Sequence, residues 1–168
     1  VFYSNISEWG PQAKAYIEDH TKPYYKADLQ LFIEHHMVDP NILRSAFSQL
    51  KRGLFNNPPG PSKRTMDGTH GGELIAYGKY LSVAAISPDI IHSLTEDMSQ
   101  IRFTACHLRL KHTSIIVFTV YLWDSQGWSV ENHTIMQHIK SISDIFDVPI
   151  IIVGDFNMLP TEFNDSCW

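Results

Sequence analysis

Apolar residues follow two extended and two helical patterns in the first half of the chain. Residues 1–6 and 27–33 are short, mostly apolar runs typical of strands. An amphipathic segment follows each: residues 8–19 behind a candidate N-cap at Ser7, and a second helix opened by Asp39 and Pro40. This β-α-β-α order favours an α/β architecture. The residues expected to face the core are Trp9, Ala13, Tyr16 and Ile17 in the first helix, and Ile42, Leu43, Ala46, Phe47 and Leu50 in the second.

The second half of the chain is dominated by predicted strands. Residues 73–77 and 80–86 fit single strands, and residues 101–110 and 114–122 predict a hairpin. A helix then begins at an N-cap, Ser129, and leads into residues 150–154, an apolar run that predicts a strand buried on both faces. Residues 56–69 predict a long loop rich in proline and glycine, and residues 87–100 receive no assignment. The helix is expected to face inward with Ile135, Met136, Ile139, Ile142 and Ile145.

The amino-acid composition limits the kinds of protein that this chain can be. The chain has 168 residues, 43% of them hydrophobic and 12% aromatic, which suits one folded domain. Its formal net charge of −5 gives no overall basic surface, so binding to DNA would need a metal ion or a local patch such as Lys63 and Arg64. Two cysteines, Cys106 and Cys167, are too few for a disulfide framework and favour an intracellular, reducing compartment. No apolar run reaches the roughly 18 residues that would span a membrane.

Polar side chains stand at the ends of several predicted strands. Asn5 ends the first, Glu34 follows the second, Tyr121 ends the hairpin, and Asp155 and Asn157 follow the last. Ligands of open α/β sheets bind at the carboxyl ends of strands, so these groups are expected to converge. Carboxylate and amide oxygens suit Mg²⁺ or Mn²⁺. Taken singly, each residue also has a purely structural interpretation, since Asp-x-Asn, for example, is a common loop-capping turn.

Other chemistries find less support in the sequence. The histidines are numerous enough to suggest zinc, but no His-x-x-x-His pair and no Cys/His quartet of finger spacing occurs. There is no Gly-x-Ser-x-Gly nucleophile motif and no Gly-x-x-x-x-Gly-Lys-Ser/Thr phosphate loop. The histidines considered as zinc ligands are His35, His36, His70, His107 and His112.

The order of these motifs resembles the endonuclease/exonuclease/phosphatase superfamily. The family has an asparagine on its first strand, a Gln-Glu-Thr-His-like motif, a Gly-Gly strand, a Tyr-x-Pro-Asn-like motif and a Gly-Asp-Phe-Asn motif. The counterparts here are Asn5-Ile6, Ile33-Glu34-His35-His36, Thr69-His70-Gly71-Gly72, Val120-Tyr121 and Val153-Gly154-Asp155-Phe156-Asn157. The resemblance covers Asn5 to Pro160 and is nearest to the endonuclease domains of non-LTR retrotransposons. It implies an α/β fold of DNase I-like type, a two-layer β-sandwich flanked by helices.

The resemblance also implies a Mg²⁺- or Mn²⁺-dependent phosphodiesterase that acts on DNA. Glu34 would be the main metal ligand, and Asn5 would support the metal and its water. Asp155 would orient or deprotonate the attacking water, Asn157 would hold the water and the phosphate, and Tyr121 would donate to a phosphate oxygen. A larger polypeptide with a reverse transcriptase is implied as well, and a nuclear location if the substrate is chromosomal DNA.

The resemblance suggests a role for His36, and positive charge suggests a role for Lys63 and Arg64. His36 matches the histidine of the second motif and would support the site from nearby. Lys63 and Arg64 would track a phosphate backbone from the long loop.

Two departures from the family pattern limit what the resemblance implies. Trp123-Asp124 stand in place of Pro-Asn, so Asp124 would replace a phosphate-contacting asparagine, although an Asp repels phosphate unless it is protonated or bound to metal. The family's terminal Ser-Asp-His has no counterpart, because Asp165 is followed by no histidine. We therefore expect residues 1–168 to form a domain incomplete at its C-terminus, with weak or no nuclease activity in isolation. The alternatives are a phosphatase or phosphodiesterase for a small phosphoester, or a non-catalytic fragment of the same fold.

Overall fold

The computed structural model describes residues 1–21, 27–61, 68–95, 97–98 and 101–165. These residues form two four-stranded sheets and a short two-stranded ribbon, joined and flanked by helices. In chain order the elements are β1 Phe2–Asn5, α1 Pro11–Thr21, β2 Leu29–Ile33, α2 Pro40–Gln49, β3 Arg52–Asn57, β4 Gly60–Pro61, β5 Thr69–His70, β6 Glu73–Gly78, β7 Ser82–Ala85, α3 Pro88–Leu94, β8 Phe103–Arg109, β9 Ser114–Tyr121, α4 Val130–Phe146, β10 Ile150–Asp155 and α5 Pro160–Asp165.

The two sheets have related pairing patterns. The first sheet has the order β1-β2-β6-β3 and the second the order β10-β9-β8-β7, while β4 and β5 form the ribbon. In each sheet one edge strand is parallel to its neighbour, β1 to β2 and β10 to β9, and the remaining pairs are antiparallel. The parallel pairs bring the carboxyl ends of adjacent strands together at one end of each sheet.

Side-chain alternation along the strands builds three apolar layers. Leu29 and Leu31 of β2 point to one face and pack with Val117 of the second sheet, which forms the layer between the sheets. Phe32 of β2 points to the opposite face, where it packs under α1 and α2. Phe118 of β9 similarly faces α4. The predicted two-layer sandwich flanked by helices is confirmed.

The first helix begins later than the sequence predicts. Ser7 is not its N-cap: its backbone φ is +53° and its N–H donates to Asn5 Oδ1. The N–H of Trp9 donates to the His35 carbonyl at 3.0 Å, which holds this segment in a turn until Pro11 opens α1. Proline suits the first helical turn because its φ is fixed and it needs no N–H partner there.

Three short strands were missed, and one strand is less buried than expected. The strands β4 and β5 form the two-stranded ribbon, within and at the end of the loop predicted at residues 56–69. The strand β3 occupies Arg52–Asn57, where the sequence predicts only a helix end and a loop. At Gly53 an added Cβ would come within 2.2 Å of the Tyr77 ring, so the cross-strand neighbour takes the space that a side chain would fill. The strand β10 was predicted to be buried on both faces, but it is an edge strand whose Ile151 is 37% exposed.

Three positions expected to face the core are exposed: Tyr16, Ile42 and Ile145. Each lies on an amphipathic helix, next to the row of side chains that packs on a sheet. Helical spacing alone does not show which residues at the edge of that row are buried, so these three were predicted to be buried. By contrast, the predicted N-cap Ser129 accepts a hydrogen bond from the N–H of Asn132 at 3.2 Å, and α4 ends at the predicted Phe146. None of the helices among the described residues is long and apolar enough to cross a membrane.

Candidate active site

The predicted site residues meet where the parallel edges of the two sheets end. Asn5 is the last residue of β1 and lies opposite Ile33, and Glu34 follows directly on β2. On the second sheet Asp155 ends β10 and lies opposite Tyr121, which ends β9. Four polar residues from two sheets therefore leave their strands at carboxyl ends, as the sequence predicts.

The first half of the site is a carboxylate held by an amide. The Nδ2 of Asn5 donates to Oε2 of Glu34 at 2.6 Å, and Asn5 Oδ1 accepts from the Ser7 N–H at 2.9 Å. Glu34 also acts on the Tyr121 hydroxyl, whose pKa it helps to raise. Glu34 has a φ of +58°, a left-handed conformation in which a non-glycine residue stores strain. The turn after β2 thus fixes the carboxylate between Asn5 and Tyr121.

The second half of the site is a tight turn after β10. The N–H of Asn157 donates to Asp155 Oδ1 at 3.0 Å, which is the Asp-x-Asn turn considered at the sequence level. The Nδ2 of Asn157 donates to the Leu122 carbonyl at 2.7 Å, so the turn is fastened to the end of the neighbouring strand. Asn157 has a φ of +48°, which asparagine adopts more readily than most residues.

The electrostatics show that the two carboxylates share one space. Burial raises the pKa of Tyr3 above its ordinary value, and the charges of Asp155 and Glu34 raise it further. Burial, the hydrogen bond to Glu34 and that carboxylate's charge raise the pKa of Tyr121, with a smaller contribution from Asp155. Both phenols therefore remain protonated at neutral pH. Because each tyrosine senses both carboxylates, Glu34 and Asp155 face a common region although they belong to different sheets.

This donor set fits a hard divalent cation. Two carboxylates and the amide oxygen of Asn5 offer oxygen ligands of the kind that Mg²⁺ and Mn²⁺ prefer. Their concentrated negative charge, which acts on both tyrosines, is the field that a cation would neutralise. In the described part of the chain no group of three or more His, Cys, Asp or Glu side chains is placed to hold a metal, so the set depends on Asn5 as well as the two carboxylates.

The two histidines after Glu34 position loops instead of facing the carboxylates. His36 Nδ1 lies 3.1 Å from both the carbonyl and Oγ1 of Thr69, at the start of β5. His35 is fully buried; its Nδ1 accepts from the Met37 N–H at 3.0 Å and its Nε2 lies 3.3 Å from the Asn57 carbonyl. Burial lowers the pKa of His35 to about 4, so the ring is neutral. At Gly72, whose φ is +99°, an added Cβ would lie 2.8 Å from this ring.

A polar layer below the site joins the two sheets. The Nε of Arg102 donates to the Tyr121 carbonyl at 2.9 Å, and its guanidinium lies 3.9 Å from the Trp123 ring centroid and 4.8 Å from that of Tyr121. Arg102 is only 4% exposed. Burial lowers its pKa, an effect opposed by the charge of Glu73 first and then by those of Tyr121 and Glu34.

Glu73 is the acidic member of this layer. It is 1% exposed and accepts from Asn57 Nδ2 at 2.7 Å. The Oγ1 of Thr104, on the second sheet, donates to the Glu73 carbonyl at 2.8 Å. Burial raises the pKa of Glu73 to about 7, although Asn57 and Arg102 oppose that rise. The Thr104 bond to the Glu73 carbonyl thus crosses between the sheets, whereas Asn57 and Glu73 pair within the first sheet.

Sequence reasoning missed Tyr3, Glu73 and Arg102. Period-two alternation could have found Tyr3, because it shares a strand face with Asn5. A charged residue directly before the apolar run of β8 could have marked Arg102. Of the predicted substrate-binding residues, Asp124 lies exposed on the loop after Trp123, while Lys63 and Arg64 lie outside the described residues.

Comparison with solved structures identifies the fold. The chain superposes on the endonuclease domain of TRAS1, a telomere-specific non-LTR retrotransposon, with a TM-score of 0.60 at 15% identity over 95% of this chain and 59% of that one. The human Nocturnin catalytic domain gives 0.61 at 17% identity, covering 92% and 60%. The 3′ phosphatase NExo from Neisseria, bound to a product DNA hairpin, gives 0.60 at 13%, covering 94% and 57%.

The chain has the same DNase I-like α/β fold as these solved structures. It spans about 60% of the length of these solved structures. No protein-family model and no curated protein sequence matches it. Because the identities are low, these comparisons establish the architecture of the chain and not its activity.

Proposed function

We propose that this DNase I-like domain hydrolyses phosphodiester bonds in DNA with the help of Mg²⁺ or Mn²⁺. The observation that carries the proposal is the meeting of Asn5 and Glu34 from one sheet with Tyr121, Asp155 and Asn157 from the other. Similarity of fold to a retrotransposon endonuclease and to a DNA-bound 3′ phosphatase supports DNA as the substrate class.

A bound cation would be held by Glu34, with the Asn5 amide oxygen and Asp155 beside it, and would offset the charge that develops on the phosphate. Asp155 accepts the proton of the attacking water or orients that water. Its Oδ1 already accepts from the Asn157 N–H, which fixes the carboxylate's direction. Preorganisation of this kind is the main contribution that a rigid site makes to a charged transition state.

Tyr121 contributes a proton donor. Its raised pKa keeps the hydroxyl protonated across the neutral range, so the hydroxyl can donate to Glu34 in the resting site and to a phosphate oxygen when substrate is present. Asn157 is anchored through Nδ2 to Leu122, and its amide can present Oδ1 to the water. His36 supports the site indirectly, because its ring holds the Thr69 segment in place.

Nicking of supercoiled plasmid tests the proposal. Incubation with Mg²⁺ or Mn²⁺ should convert supercoiled to open-circular plasmid, and EDTA should abolish the conversion. Asp155→Ala should remove the activity, whereas Asp144→Ala, at an exposed carboxylate of α4, should retain it. Nicking that survives Asp155→Ala would contradict the site assignment.

A small phosphoester is the second candidate substrate, and the net charge of −5 favours it, since a compact substrate needs no basic track. Turnover of a nucleotide or phosphoinositide without plasmid nicking would select this activity. Silence on both substrates would reject catalysis by this chain and favour the non-catalytic form of the fold.

A further inference from the structure

Tyr3 adds a second phenol to the candidate active site. It lies on β1 two positions before Asn5, so the two side chains leave the strand on the same face. Tyr3 is half-buried and packs into the apolar layer between the sheets. Val153 of β10 packs into the same layer, and Asp155 lies two positions beyond it on the same strand face. Since β1 and β10 contact each other across the sheets, Tyr3 lies just below the space between Asn5 and Asp155.

The Tyr3 hydroxyl faces the region that the two carboxylates share. Besides burial, the charges of Asp155 and then of Glu34 act on this group. Within the described part of the chain the hydroxyl forms no hydrogen bond. Asp155 accepts from the Asn157 N–H through Oδ1, and Glu34 accepts from Asn5 through Oε2. Because a carboxylate has about four acceptor positions, both carboxylates can accept a further hydrogen bond on the side of Tyr3.

A water molecule fits the groups around this region. Water donates two hydrogen bonds, which Glu34 and Asp155 can accept, and it can accept one from the Tyr3 hydroxyl. About three hydrogen bonds is the usual number for a buried water, and polar groups that do not touch directly are often joined in this way. A phenol is protonated at neutral pH, so Tyr3 presents a hydrogen to this region, which suits a water oxygen and repels a cation.

We propose that Tyr3 is a positioning residue that holds the attacking water between Glu34 and Asp155. Three of the four hydrogen-bonding positions of the water are then fixed, and its remaining lone pair can point at phosphorus. The identification of this water as the nucleophile rests on the proposed function, whereas the water site itself does not. Without the hydroxyl, the water would be held by the carboxylates alone and could turn its lone pair away from the phosphate. The chemical step would slow, although cation and DNA binding would be retained.

Tyr3→Phe tests this role, because it removes the hydroxyl and keeps the ring in the apolar layer. In plasmid nicking with Mg²⁺, kcat is expected to fall about tenfold, the effect of one lost hydrogen bond. The KM, the Mn²⁺ affinity and the midpoint of urea denaturation should remain those of the parent. Tyr77→Phe makes the same change in the same layer at the far end of the first sheet, where Tyr77 lies opposite Leu29, and should leave kcat unchanged.

Two kinetic results would overturn the inference. The first is an unchanged kcat in Tyr3→Phe, or an equal fall in Tyr77→Phe. The second is a fall in kcat accompanied by a comparable loss of Mn²⁺ affinity or of stability, since a purely structural role for Tyr3 would produce that combination.

Crystal structures of the full chain grown in EDTA test the water site without metal, DNA or turnover. The parent should show an ordered water within about 3.2 Å of the Tyr3 hydroxyl and of an oxygen of each carboxylate. This water should be lost or displaced in Tyr3→Phe and retained in Tyr77→Phe. Its absence from the parent, or its retention at the same position in Tyr3→Phe, would overturn the inference. Nicking without this water would reject the water site and leave the proposed function standing, whereas the water without nicking would do the reverse.

Discussion

Oε2 of Glu34 accepts a 2.6 Å hydrogen bond from Nδ2 of Asn5, which ends the neighbouring parallel strand. The short contact shows that the resting site already holds its carboxylate in one orientation. It also shows that Asn5 turns its amide nitrogen, not its oxygen, toward Glu34. In the proposed site, cation binding would be accompanied by reorientation of this amide, since Oδ1 would be the ligand atom and now accepts from the Ser7 N–H.

Replacement of Glu34 by glutamine should weaken metal binding. The variant keeps the shape but removes the negative charge, so Mn²⁺ affinity is expected to fall by at least about tenfold, with a larger loss of nicking. Mn²⁺ binding followed by electron paramagnetic resonance measures the first effect independently of activity. Glu8→Gln makes the same chemical change at an exposed position and is the matched control. Unchanged Mn²⁺ affinity in Glu34→Gln would exclude Glu34 as a ligand.

Asn157→Asp should destabilise the turn after β10. The substitution replaces the Nδ2 donor with a carboxylate oxygen that faces the Leu122 carbonyl 2.7 Å away. The free energy of unfolding is expected to fall by about 1–3 kcal/mol, as measured by urea denaturation. Asn164→Asp makes the same chemical change at an exposed position of α5 and should cost far less. An equal loss in both variants would show that the Leu122 contact contributes nothing.

Glu73 should make the fold less stable as the pH rises. Its pKa is about 7 in the folded chain against 4.5 ordinarily, so its favourable contribution is complete below pH 4.5 and is lost as the pH rises through about 7. The difference is of the order of 3 kcal/mol, because each pKa unit corresponds to about 1.4 kcal/mol. The difference in the free energy of unfolding between the parent and Glu73→Gln, measured by urea denaturation from pH 4.5 to 8, should change by about this amount, because the pH effects of other groups such as His35 are common to both chains. Parallel curves would contradict the raised pKa.

His35 should produce the opposite slope at lower pH. Its pKa is about 4 in the folded chain against 6.5 ordinarily, so its contribution is complete above pH 6.5 and is lost as the pH falls through about 4. His35→Gln should flatten this acid limb and also lower stability at pH 7, since the Met37 N–H loses its acceptor. The exposed His112→Gln should leave the limb intact. An acid limb that persists in His35→Gln would assign it to other groups.

The sequence pattern predicted the polar residues at the strand ends, because each of them directly follows an apolar run that identifies a strand. Asn5, Glu34, Tyr121 and Asp155 all follow apolar runs long enough to identify a strand. The tertiary partners were not predictable, because they depend on register. The contact of Arg102 with Tyr121 joins the residue before β8 to the antiparallel β9, and the Asn57–Glu73 contact arises from a strand in which Phe55 is the one strong β-former.

The sequence also did not show which strands lie at the edges of the sheets. The apolar run at residues 150–154 is equally consistent with a central or an edge strand, and only the sheet order shows that β10 has one neighbour among the described strands. Similarly, Ile42 and Ile145 fit the helical stripe by spacing, yet the rotation of each helix on its sheet leaves them exposed.

Because the proposed site is divided between two sheets, it is complete only when the two sheets have packed together. A partly folded chain that had formed only the first sheet would hold Asn5 and Glu34 without Asp155, and one with only the second would hold the reverse. Neither intermediate could align a cation with a nucleophile. The proposed activity would therefore appear together with the packed interface between the sheets, and nascent or damaged copies that lack this interface would lack the proposed activity.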